Sequence, residues 1–83
     1  MRQTITYGGH TYGHQQIWAL WRALMDAGHK LSLYGGKNIA GKNVYSVAMW
    51  PALGSHFQTV DCTTPWVAMA AAVLILDIRE AMQ

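Results

Sequence analysis

Apolar and polar positions along this chain change period several times, and each change predicts an element. Residues 5–12, ITYGGHTY, alternate about a glycine pair. Gly8 and Gly9 can adopt the positive φ values that a two-residue hairpin loop demands. A hairpin here sets Tyr7 against His10, Thr6 against Thr11 and Ile5 against Tyr12. Ile5, Tyr7, His10 and Tyr12 then share one face and the threonines the other. One extended strand with a glycine bulge is the alternative. From His14 to Ala27 the period lengthens to that of a helix, with Ile17, Leu20, Trp21 and Leu24 as its stripe, widened by Trp18 and Met25. Gln15, Arg22 and Asp26 lie opposite, and Gly28 is a stop signal. HKLSLY then alternates as a strand, with Leu31 and Leu33 on one side. GGKNIAGKN, residues 35–43, reads as a loop. NVYSVAMW is a second strand, PALG a turn and SHFQTVD a third strand. Thr64 as N-cap and Pro65 at the first helical position open a last helix that runs to about Met82.

The order ββ-α-β-β-β-α predicts an α+β fold: one small antiparallel sheet, made of the N-terminal hairpin plus three strands, with both helices packed on one face. Residues 1–83 form a single domain with no linker. On a wheel of about 100° per residue the last helix shows two apolar stripes. Val67, Ala71, Leu74, Ile75, Ile78 and Met82 read as the core face. Trp66, Met69, Val73 and Leu76 lie roughly opposite, where a monomer should be polar, and are expected to form a homodimer interface.

Composition sharpens that expectation. Only 12% of residues are charged, while 52% are hydrophobic, with four Trp and five Met. Soluble domains carry about 25% charged residues, so another chain is expected to cover part of the apolar surface. One cysteine rules out an intrachain disulfide and suits a reducing compartment. The N-terminus lacks the apolar core of a signal peptide. The longest uncharged apolar run, Trp66–Leu76, falls short of the roughly 20 residues of a membrane span. A cytoplasmic protein is expected, with no membrane partner. A net charge of +2 announces no nucleic-acid binder.

Candidate chemistry is sparse. His10 and His14 stand four apart, but glycine interrupts them and no carboxylate is near, so they read as strand and surface histidines; neither a metal nor another cofactor is expected. Cys62 and His56, with Asp61, contain the residue types of a thiolate nucleophile; a small thiol packed before a helix is the plainer reading. Asp77 and Glu80 flank Arg79 at a helix end, where solvated charges are the rule. No catalytic residue is assigned. In the loop, Lys37, Lys42, Asn38 and Asn43 could meet a phosphate backbone or a protein, although the phosphate-loop pattern is absent. Lys30 and Arg22 extend that basic set. Trp18 and Trp50 are the aromatic candidates for partner binding.

VYSVAMWPALGSHFQTV followed by a helix is loosely similar to the strand-turn-strand-helix core of HicB-type antitoxins, without the acidic helix start usual there. That likeness implies a nucleic-acid-binding regulator using loop 35–43. In size and style the chain also resembles phage-encoded inhibitors, including anti-CRISPR proteins, which implies action in the host-cell cytoplasm. The leading expectation is a non-enzymatic protein–protein interaction module that binds a larger partner; nucleic-acid binding is the alternative.

Overall fold

A computed structural model describes residues 4–82 of the chain. Its elements follow the expected order, and its class is α+β. Gly8 and Gly9 take φ of 60° and 82°, values that side chains disfavour. They join β1 (Thr4–Tyr7) to β2 (His10–Gly13) in the expected register, Ile5 against Tyr12 and Tyr7 against His10. The Gly13 N–H donates to Gln16 Oε1 at 2.8 Å, and a single 3₁₀ turn, His14–Gln16, leads into α1 (Ile17–Asp26). Gly28, at φ 96°, ends that helix: its N–H reaches Met25 O at 2.9 Å, and His29 N–H reaches Leu24 O at 3.1 Å.

β3 (Lys30–Lys37), β4 (Asn43–Trp50) and β5 (Phe57–Gln58) form an antiparallel sheet in that order. Here the glycine stretch departs from expectation. Gly35 and Gly36 have no positive φ, and they pair with Tyr45 and Val44. The strand therefore runs on to Lys37, and only residues 38–42 turn. The third strand is shorter than SHFQTVD. After β5 the chain stays beside β4 by single contacts: Thr59 N–H to Val47 O at 2.9 Å, Val47 N–H to Thr59 Oγ1 at 3.0 Å, and a Tyr45–Cys62 bridge. Exposed Val60 and Asp61 bulge outward between them. α2 (Pro65–Ala81) follows, its first turn capped by Thr64 Oγ1, which accepts from Val67 N–H at 3.1 Å.

The hairpin does not join the three-stranded sheet. It is a separate two-stranded sheet that bridges the helices, β1 against α2 and β2 against α1. Its Ile5–Tyr7–Tyr12 face packs onto the core, which spends apolar side chains on the helices instead of on a sheet extension. On the three-stranded sheet, Leu31, Leu33, Val47 and Met49 share the core face, and Leu20 and Leu24 of α1 and the buried side of α2 complete the cluster.

The two stripes of α2 depart from expectation, although Val67, Ala71 and Ile75 of the expected core face do pack partly buried against the core. Trp66, Met69, Val73 and Leu76, expected at a dimer interface, are buried against the chain's own core. Leu74, Ile78 and Met82, expected inside, are 60%, 51% and 81% exposed. Ala68 and Ala72, both fully buried, lie on the Met69–Leu76 side and let the helix axis approach β4 closely.

Candidate functional site

Three separate surfaces carry the candidate residues. The first is the outward face of α2. Helical geometry groups Val67, Ala70, Ala71, Leu74, Ile78, Ala81 and Met82 on it, with no charge among them; Leu74, Ile78, Ala81 and Met82 are exposed, whereas Val67, Ala70 and Ala71 are partly buried against the core. Asp77 and Glu80 project from the Trp66–Val73 side in the last turns, where both remain exposed. Arg79 folds inward: its guanidinium lies 4.8 Å over the Phe57 ring, and Nη1 donates to Ser55 O at 2.6 Å. The positions that would ordinarily make a surface helix polar thus lie away from its solvent side.

The second is a cleft of about 1150 Å³ among the hairpin, the start of α1, Leu33 of β3 and the start of α2. Trp18, 65% exposed, stands on its rim and packs edge-on against Trp21 with ring centres 5.8 Å apart. Thr64, Pro65 and Trp66 form part of the opposite wall, and His14, Gln15 and Gln16 part of the rim. Trp66 is buried, and its indole N–H meets no acceptor among the described residues. Leaving such a donor unsatisfied costs about 1–3 kcal/mol.

The third is the sheet face turned away from the helices. Trp50 lies there between Lys30, whose Nζ is 5.5 Å from the ring centre, and His56, whose ring is 4.7 Å away. Trp50 and Lys37 sit at opposite ends of the β3–β4 ladder, about 23 Å apart at strand rise. The partner-binding candidates are therefore not one site. Trp18 borders the cleft, Trp50 belongs to the far sheet face, and the lysines and asparagines occupy the hairpin tip. Two of those tip residues have internal work: Asn38 Oδ1 accepts from Lys42 N–H at 3.0 Å, and Asn43 Oδ1 accepts from Lys37 Nζ at 2.8 Å. Ile39 at the tip is fully exposed.

The catalytic combinations do not assemble. Cys62 is buried, donates to Val60 O at 3.2 Å and bridges to Tyr45, whereas His56 stacks on Trp50. Among the described residues no group of three His, Cys, Asp or Glu is placed to hold a metal ion, and no helix is long and apolar enough to cross a membrane. Burial pushes the Tyr7 phenol above its ordinary value of 10.0, with the Glu80 and then the Asp77 carboxylate adding to the rise. His29 has a structural task, its Nδ1 accepting from Ala52 N–H at 3.0 Å.

Reading by period found Trp18 and Trp50 but missed Lys30 and His56 as companions of Trp50, and missed the cleft. The first follows from the ladder, which sets Lys30 opposite Trp50; the second needs tertiary placement of four elements. No family model, no curated protein and no solved structure matches this chain.

Proposed function

We propose that the protein is a non-enzymatic protein–protein interaction module, assembled as a homodimer through the outward face of α2 and acting by occupying a surface of a larger partner, in the manner of a phage-encoded inhibitor of host defence. The observation that carries this reading is the uncharged stripe from Val67 to Met82 on the solvent side of α2, with Leu74 and Ile78 more than half exposed. Contiguous apolar faces of this kind mark interaction surfaces in soluble proteins. A second copy fits it without any charge pairing. In an antiparallel helix pair with its two-fold axis at Leu74, Ala70 faces Ile78 of the other copy and Val67 faces Ala81, large against small along the seam.

Light scattering on a size-exclusion column is the test. Wild type should run at twice 9.2 kDa, and Leu74→Glu with Ile78→Glu should run as a folded monomer. A wild-type monomer across a wide concentration range would refute the dimer. A dimer that survives the double substitution would refute this face.

A further inference from the structure

The geometry points to a second binding surface: the free edge of β3, which accepts an extended, acidic segment of a partner protein as an added strand. The proposal rests on the reading of the chain as a protein-binding module and names the chemistry of what it binds. Its first support is the direction of the backbone groups. Asn38 N–H donates to Lys42 O at 3.0 Å, which makes 38 and 42 a hydrogen-bonded pair. Bonded pairs alternate in an antiparallel ladder, so Gly36, Tyr34, Ser32 and Lys30 bond to β4. The other side of β4 confirms the parity, because Tyr45 and Val47 bond to Cys62 and Thr59. The N–H and C=O groups of Leu31, Leu33 and Gly35 therefore point away from the sheet, and no described residue bonds to them.

Edges in stable domains are ordinarily short, bulged, broken by proline, covered or guarded by charged side chains, and β3 carries charge only at its two ends, Lys30 and Lys37. β3 is eight residues long, its register with β4 is unbroken, and it contains no proline. Gly35 and Gly36 leave its second half as bare backbone, with open space where a side chain would stand at Gly36.

Charge then selects the occupant. From residue 27 to residue 60 the chain holds three lysines, Lys30, Lys37 and Lys42, and no carboxylate. Two of them stand at the two ends of the edge, so carboxylates flanking an apolar centre match it. Strand pairing supplies affinity in such complexes and the alternating side chains supply selectivity.

The experiment is selection from a random peptide display library on immobilised wild type, with Gly35→Pro as the comparison. Proline at 35 removes an N–H that serves no ladder bond, and a Cβ there meets only ordinary contact with Tyr45 at 3.5 Å. Recovered peptides should alternate apolar residues, carry flanking Asp or Glu, and bind wild type at least tenfold tighter than Gly35→Pro. Binding should protect the Leu31, Leu33 and Gly35 amides from hydrogen exchange. Equal binding to wild type and Gly35→Pro, or recovered peptides without acids, would overturn the proposal. So would recovery of no peptide by a folded wild type, or capture of single-stranded oligonucleotide in its place. Leu74→Glu with Ile78→Glu should leave peptide binding unchanged, so the edge and the α2 face can fail independently.

Discussion

Tyr7 shows how one side chain couples the hairpin to the end of α2. Its phenol sits partly buried near the Glu80 and Asp77 carboxylates, and burial together with those charges favours the neutral form. A raised pKa in the folded state means stability that is fully present below the unfolded value and lost as pH climbs through the folded one. Wild type should therefore lose stability above pH 10 faster than Tyr7→Phe, while the difference between them stays constant from neutrality to that point. Denaturant midpoints up to about pH 11 measure this, with the other tyrosines common to both proteins. Gly9 is a second residue-scale case. A Cβ there meets nothing within 4 Å, yet φ is 82°, so Gly9→Val should cost about 1–3 kcal/mol from backbone strain alone. Gly36→Val makes the control: the space is open and the backbone is ordinary strand. If both variants melt alike, positive φ at the turn is not what glycine provides.

At the scale of elements, α2 is where the hydrophobic pattern misled, and the cause is visible in particular residues. Both stripes are apolar, so periodicity alone could not rank them. Asp77 and Glu80 fall on the Trp66–Val73 side of the wheel, in the last turns, where both remain exposed. Alanines fall on both sides, Ala68 and Ala72 on the buried one and Ala70, Ala71 and Ala81 on the other, so residue size could not rank them either. The hairpin was legible down to its register because glycine chemistry fixes a two-residue turn. Its place between the helices was not, because strand pairing is local and packing is not. The glycine-lysine stretch was read as loop from composition, whereas the β4 partner pairs it through Lys37. Two measurements separate these readings. In solution dilute enough to hold the monomer, Met69→Ala should cost about 2–5 kcal/mol and Leu74→Ala less than about 0.5 kcal/mol; the reverse order would restore the other face to the core. Lys37→Ala with Lys42→Ala should leave thermal stability within about 1 kcal/mol of wild type, since the Lys37–Asn43 hydrogen bond is exposed. A larger loss would show that the tip is packed.

For the whole molecule, shortage of polar surface is the governing constraint. Ten charged residues, six basic and four acidic, must cover a domain of 83, and the fold places none of them on the solvent side of α2. A small domain buries a limited share of its surface and has little stability to lose. The proposed second copy on α2 would relieve both problems, because it would remove Leu74, Ile78 and Met82 from water, each worth about 1.5–3 kcal/mol when fully buried. Burial between copies couples folding to concentration. Anything that binds only the folded state stabilises it by mass action, by about 2.7 kcal/mol at 100 times Kd. For a domain of this length 1 kcal/mol shifts Tm by about 4–8 °C. The melting temperature of wild type should therefore climb by several degrees as protein concentration rises from well below to well above the dimer Kd. Leu74→Glu with Ile78→Glu should melt at one temperature throughout, at or above the wild-type value in dilute solution, because two exposed apolar side chains have become charged. Calorimetry over a hundredfold dilution series reads both limbs. A wild-type Tm that ignores concentration, with the monomer mass confirmed at the top of the series, would mean that the apolar face of α2 stays in water or waits for a partner other than itself.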